Sequence, residues 1–137
     1  MNLVERLLTI DKGELSKVPV EKMRARKLSE LMGEDVEITV TAICGERYTE
    51  LSSGMVSKDG TVDFGKLYET NALIAAEGIV EPNLKNEQLQ KHFGCATPKE
   101  LVKVLFPGGE LSKIADKITD LSGFSDGTKN EKKVKNS

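Results

Sequence analysis

The chain has 137 residues, enough for one domain that buries roughly two-thirds of the surface its unfolded form exposes. Hydrophobic residues make up 38% and charged residues 31%, an ordinary soluble balance, and no run of roughly 18 apolar residues is present to span a membrane. A net charge of −2 argues against nucleic acid or an anionic membrane as the main partner.

The segment Met1 to Ile10 has Glu5, a single cation in Arg6 and no long apolar core, so it does not read as a secretory signal. Leu3, Val4, Leu7 and Leu8 fall on one face of a short helix within residues 1–12 that ends near Asp11-Lys12-Gly13. Alone such a helix does not hold in water, so it is expected to pack on the domain or on a partner. Residues 13–20 read as a connector, because Pro19 breaks any continuing helix.

From Val36 to Cys44 apolar Val36, Ile38, Val40, Ala42 and Cys44 alternate with Glu37, Thr39 and Thr41, with Ile43 as the exception; the period of two predicts a half-buried strand. An earlier partner strand is expected at Glu21 to Arg26, where Met23 and Ala25 alternate with cations, joined through Leu28 to Gly33. Gly45 to Gly54 reads as a short helix with Tyr48 and Leu51 on one side, followed by a turn at Ser57-Lys58-Asp59-Gly60. Asp63 can cap a longer, central helix reaching Ile79, with Phe64, Leu67, Tyr68, Ile74 and Ala75 on its apolar stripe.

Three further helices are written with their own start and stop chemistry. Asn86 opens the first, which carries Leu89 and Phe93 and stops at Gly94. Thr97, Pro98 and Glu100 form a capping box with proline at the first helical position of the second. The third, from about Gly109 to Ser122, places Leu111, Ile114, Ala115, Ile118 and Leu121 on one stripe and ends with Gly123 and Phe124. That ending predicts a Schellman stop in which Phe124 folds back onto Ile118. From Ser125 onward there is no apolar period, and the segment is expected to be disordered; its four lysines against Asp126 and Glu131 give +2 and leave −4 on residues 1–124.

The run VEPNLKNEQLQKHFG, then TPKELVKVLF, then PGGELSKIADKITDLSGF resembles the C-terminal half of the XkdN-like phage tail assembly chaperones, and the likeness extends more weakly back to about Val20. Its most distinctive part is a Pro-Gly-Glu turn before the last helix. Here the chain reads Phe106-Pro107-Gly108-Gly109-Glu110, with proline one place early.

Other chemistry is not written in the chain. His92 and Cys95 lie three residues apart across the stop at Gly94, awkward for a nucleophile and its base. Two cysteines and one histidine without CxxC or HxxxH spacing assemble no metal site. Cys44 and Cys95 suggest no disulfide framework and fit a reducing cytoplasm. Glu110 and Lys113, like Asp116 and Asp120, read as solvated helix faces. The stretch LSKIADKI resembles one helix of a helix-turn-helix, but its lysines are balanced by acids and no basic recognition helix follows.

The elements predict an α+β domain, predominantly α-helical, over residues 1–124. A small antiparallel β-hairpin near residues 20–44 is packed by about five helices, with a disordered tail over 125–137. The resemblance implies a non-enzymatic chaperone, without cofactor or metal, that transiently binds the tape measure protein and tail tube subunits. It would act in the cytoplasm of a bacterial host and be absent from the mature virion. A structural tail component and a small DNA-binding regulator are the alternatives. Candidate contacts are Leu3, Val4, Leu7 and Leu8 of the N-terminal helix and a surface near Phe106.

Overall fold

A computed structural model describes residues 2–124; the expectation for the tail falls outside the described residues. Helix α1 (Leu3–Leu7) and a single turn, α2 (Lys12–Leu15), lead into strand β1 (Val20–Arg24), helix α3 (Arg26–Met32) and strand β2 (Glu37–Thr41). Helix α4 (Gly45–Ser53) precedes a 3-10 turn (Phe64–Lys66) that runs into α5 (Leu67–Gly78). Strand β3 (Ile79–Glu81) and helices α6 (Glu87–His92), α7 (Pro98–Leu105) and α8 (Gly109–Leu121) complete the domain. The class is α+β and helix-dominated, as the sequence predicts.

The sheet has three antiparallel strands rather than two, in the order β1-β2-β3. Ile38 and Val40 of β2 are buried while Glu37 stays exposed, which is the predicted alternation. Beyond Thr41 the alternation breaks: the strand ends, Ile43 turns into the core and Cys44 faces out. The backbone N–H of Ile43 donates to Ser122 Oγ at 2.8 Å, tying this exit to the end of α8.

The expected connection from Leu28 to Gly33 is itself helical. Gly33 takes a left-handed conformation (φ 71°) and closes α3 by donating its N–H to the Ser29 carbonyl at 2.9 Å. Buried Ser29 donates its hydroxyl to the Ala25 carbonyl at 2.6 Å and accepts from the Val36 N–H at 2.9 Å. It thereby fixes α3 against the entry to β2.

Helix α5 is central, lying against α4, α7, α8 and β3. It buries Thr70, Ala72, Ile74, Ala75 and Gly78. Phe64, Leu67 and Tyr68, assigned to the same stripe by the sequence, are instead exposed. Phe64 sits on the 3-10 turn, whose three residues per turn rotate it off a 3.6-residue stripe. Tyr68 reaches outward over the turn between α7 and α8, where its hydroxyl accepts from the Gly108 N–H at 3.3 Å.

The capping signals are largely realised. Asn86 Oδ1 accepts from the Leu89 N–H at 2.9 Å and Thr97 Oγ1 from the Glu100 N–H at 3.2 Å. The return bond of the box reaches one residue further back than expected, from the Ala96 N–H to Glu100 Oε2 at 2.9 Å. At the end of α8 the Phe124 N–H donates to the Thr119 carbonyl and the Gly123 N–H to that of Asp120, both at 3.1 Å, which is the Schellman pairing. Phe124 itself turns toward α4. Its ring stacks on Tyr48 at 4.5 Å, and the Tyr48 hydroxyl lies 3.0 Å from Thr119 Oγ1, so the stop also anchors α4.

Ion pairs join the layers: Arg47 of α4 to Glu77 of α5 at 2.6 Å, Lys117 of α8 to Glu21 of β1, and Glu69 of α5 to both Lys99 (2.6 Å) and Lys103 of α7. Hydrogen bonds from Lys103 and then Lys99 hold the Glu69 carboxyl down at about 2, against an ordinary 4.5. A carboxyl depressed in the folded state stabilises fully above its unfolded value and ceases to do so as pH falls through the folded one. The expected result is that Glu69→Gln lowers the melting temperature at neutral pH, and that the difference from the parent shrinks between pH 4.5 and about 2. Thermal melts of both proteins over that range check it; a difference independent of pH would contradict the pairing.

Candidate functional site

The N-terminal segment presents apolar side chains that stay exposed among the described residues. Asn2 Oδ1 accepts from the Glu5 N–H at 2.8 Å and so starts α1. Neither α1 nor α2 contains a buried residue, and every residue from 2 to 22 is exposed. Leu3, Val4, Leu7 and Leu8 form the predicted face and are 48–80% exposed. Ile10, Leu15 and Val18 are exposed as well. Helices of five and four residues have little intrinsic stability, and these two leave their apolar side chains exposed among the described residues.

Phe106 is placed otherwise. Its side chain is completely buried and ranks among the largest in the core, so any contact near Phe106 falls to the surface around it rather than to its ring. The Phe-Pro-Gly-Gly-Glu sequence explains the burial. Pro107 disfavours helical geometry at the residue before it, and Phe106 leaves α7 at φ −132°, ψ 68°, turned inward. Gly108 then takes φ 67°, ψ −134°, a region that residues with a Cβ rarely enter. The early proline is thus compatible with a tight reversal into α8.

Glu110, which the sequence places on a solvated face, is half-buried. Its Oε2 accepts from the Arg26 N–H at 2.6 Å, supplying the start of α3 with the cap that Ala25 cannot provide; Oε1 is buried without a hydrogen-bond partner among the described residues. Nothing local in the sequence announces this bond, which spans 84 residues.

The residues weighed for other chemistry are scattered. His92 is exposed with its ring edge-on to Phe93 at 4.8 Å, and the half-buried Cys95 thiol donates weakly to the Phe93 carbonyl at 3.6 Å. Among the described residues no group of three or more His, Cys, Asp or Glu could hold a metal ion, and no helix is long and apolar enough to cross a membrane. The stripe of α8 that resembles a helix-turn-helix element packs into the core through Leu111, Ile114, Ala115 and Ile118. Its Lys117 is engaged with Glu21.

No curated protein matches the chain. A crystal structure of the protein YqbN superposes with a TM-score of 0.57 at 22% identity, covering 85% of this chain and 98% of that one, which establishes a shared fold. The model of the phage XkdN-like tail assembly chaperone proteins matches residues 4–135, nearly the whole sequence and past the described residues. Membership of a chaperone family also points to a non-enzymatic role. The chain belongs to the phage XkdN-like tail assembly chaperone family.

Proposed function

We propose that this chaperone binds the tape measure protein transiently while the tail is built, and tail tube subunits in the same period. It would act in the host cytoplasm and leave before the particle is complete. The observation that carries the proposal is the uncovered apolar face of Leu3, Val4, Leu7 and Leu8 in a segment from which nothing is buried. A long helical client exposes apolar stripes until the tube encloses it, and a short amphipathic segment is suited to lie along such a stripe and keep it from aggregating.

Co-expression with the tape measure protein encoded nearby tests this. The client is expected to be soluble only with the chaperone present and to co-elute with it on size exclusion. Deletion of residues 1–12 should abolish co-elution while leaving the stability of the remaining domain within about 0.5 kcal/mol, because that segment buries nothing. A client that stays insoluble with the intact chaperone, or detection of the chain as a stoichiometric component of purified particles, would overturn the proposal.

A further inference from the structure

Besides the N-terminal face, the domain carries a second uncovered apolar surface, where α3, α6 and the adjoining ends of β2 and β3 enclose a groove of about 270 Å³. Leu28, Leu89 and Leu105 line it, with Met32 (61% exposed) and Phe93 (41% exposed) at the surface. The volume lies just below the roughly 300–1,000 Å³ of small-molecule pockets, and the walls are two helices. That shape suits a few side chains of a docked helix.

Charge narrows the choice of occupant. The only charged residues lining the groove are Glu37 and Glu81, both exposed, and neither joins an ion pair among the described residues. Any segment laid over the groove removes water from these carboxylates, which is costly unless the segment brings cations of its own. A second copy is poorly matched: the chain's net charge is −2, and its α1 offers one arginine beside a glutamate.

We infer that this groove is a docking site for a client helix whose apolar stripe is flanked by lysine or arginine. The inference rests on the chaperone proposal above and adds a second contact, distinct from the N-terminal face, that selects clients by charge. Apolar side chains fill the space between Met32 and Phe93 while the flanking cations meet Glu37 and Glu81. Complementary charge of this kind governs which partner is accepted more than how tightly it is held.

The test uses the full chain and two labelled amphipathic peptides of one length, Leu/Lys and Leu/Glu, followed by fluorescence anisotropy. The Leu/Lys peptide is expected to bind at least about tenfold more tightly than the Leu/Glu peptide. Replacing both carboxylates (Glu37→Gln with Glu81→Gln) should remove that preference. Phe93→Ser should weaken both peptides. Equal binding of the two peptides, an unchanged preference in the double variant, or concentration-dependent dimerisation lost in Phe93→Ser without peptide binding would overturn the inference. The two readings fail separately. If the intact chain does not solubilise the tape measure protein, the chaperone proposal falls; if it does so, and the double variant does so equally well, only the groove falls.

Discussion

Replacing Phe106 with alanine is expected to cost about 3–5 kcal/mol of stability, the range for emptying a fully buried aromatic site. That is a large part of the roughly 5–15 kcal/mol that holds a domain of this kind together, so the melting temperature should fall on the order of 10–20 °C. The cost should be near the upper end because the site cannot collapse easily. Phe106 lies where α7 gives way to α8, and the backbone on its far side is fixed by Pro107, by the positive φ of Gly108 and by the hydrogen bond that Glu110 accepts from the Arg26 N–H at the start of α3. Phe106→Leu retains most of the volume and should recover most of the loss. Urea titrations of the three proteins, with co-elution of the client measured below the unfolding transition, separate the two roles open to this residue. A stability change under about 1 kcal/mol accompanied by lost client binding would return Phe106 to the interface; the reverse pattern is expected.

The residues of this turn show which features are legible in a sequence. Helix ends written in neighbouring residues are readable: Asn86, Thr97, Gly94 and Gly123 each act through hydrogen bonds spanning three to five positions, and each acts in the fold much as its local chemistry dictates. Strand β3 is not readable. Three residues cannot display a period of two, and Ile79 to Glu81 become a strand because Thr39 and Val40 pair with them. Helix α3 is hidden for a related reason: of its seven residues Ser29 is the one buried, so no apolar stripe marks it. The stripe of α5 indicates correctly which side faces the core around Ile74 and Ala75. It gives no sign of where the packed neighbours end, and Phe64 and Leu67 lie outside them.

The candidate site divides the same way. The amphipathic face of Leu3, Val4, Leu7 and Leu8 is visible from spacing alone, whereas its exposure is a property of the whole fold. The groove between α3 and α6 is invisible in sequence because its two walls are more than fifty positions apart. Glu37 and Glu81, which join no ion pair among the described residues, reach its rim only once those walls are brought together.

Close approach of helices can be as demanding as burial, and among the described glycines Gly78 has the least room. An ideal Cβ at this position would stand 2.5 Å from Ile118 Cδ1 and 2.7 Å from its Cγ1 and Cγ2, all distances at which something must shift. Ile118 is fully buried on α8 and has no open space into which to retreat. Two effects of Gly78→Ala therefore oppose each other. Alanine in place of glycine favours a helix by up to about 1 kcal/mol, and by less at position 78, the last residue of α5. Forcing a methyl group into a packed core costs about 1–3 kcal/mol. The second should win, so Gly78→Ala is expected to destabilise by about 1–2 kcal/mol net, and Gly78→Val by more. Ile118→Ala alone is destabilising through the cavity it leaves, yet it removes all three of the close atoms. The double variant should consequently be more stable than the sum of the two single losses, with a coupling on the order of 1 kcal/mol or more. Additive losses would mean that α5 and α8 adjust by sliding apart, and that Gly78 is not what sets their separation.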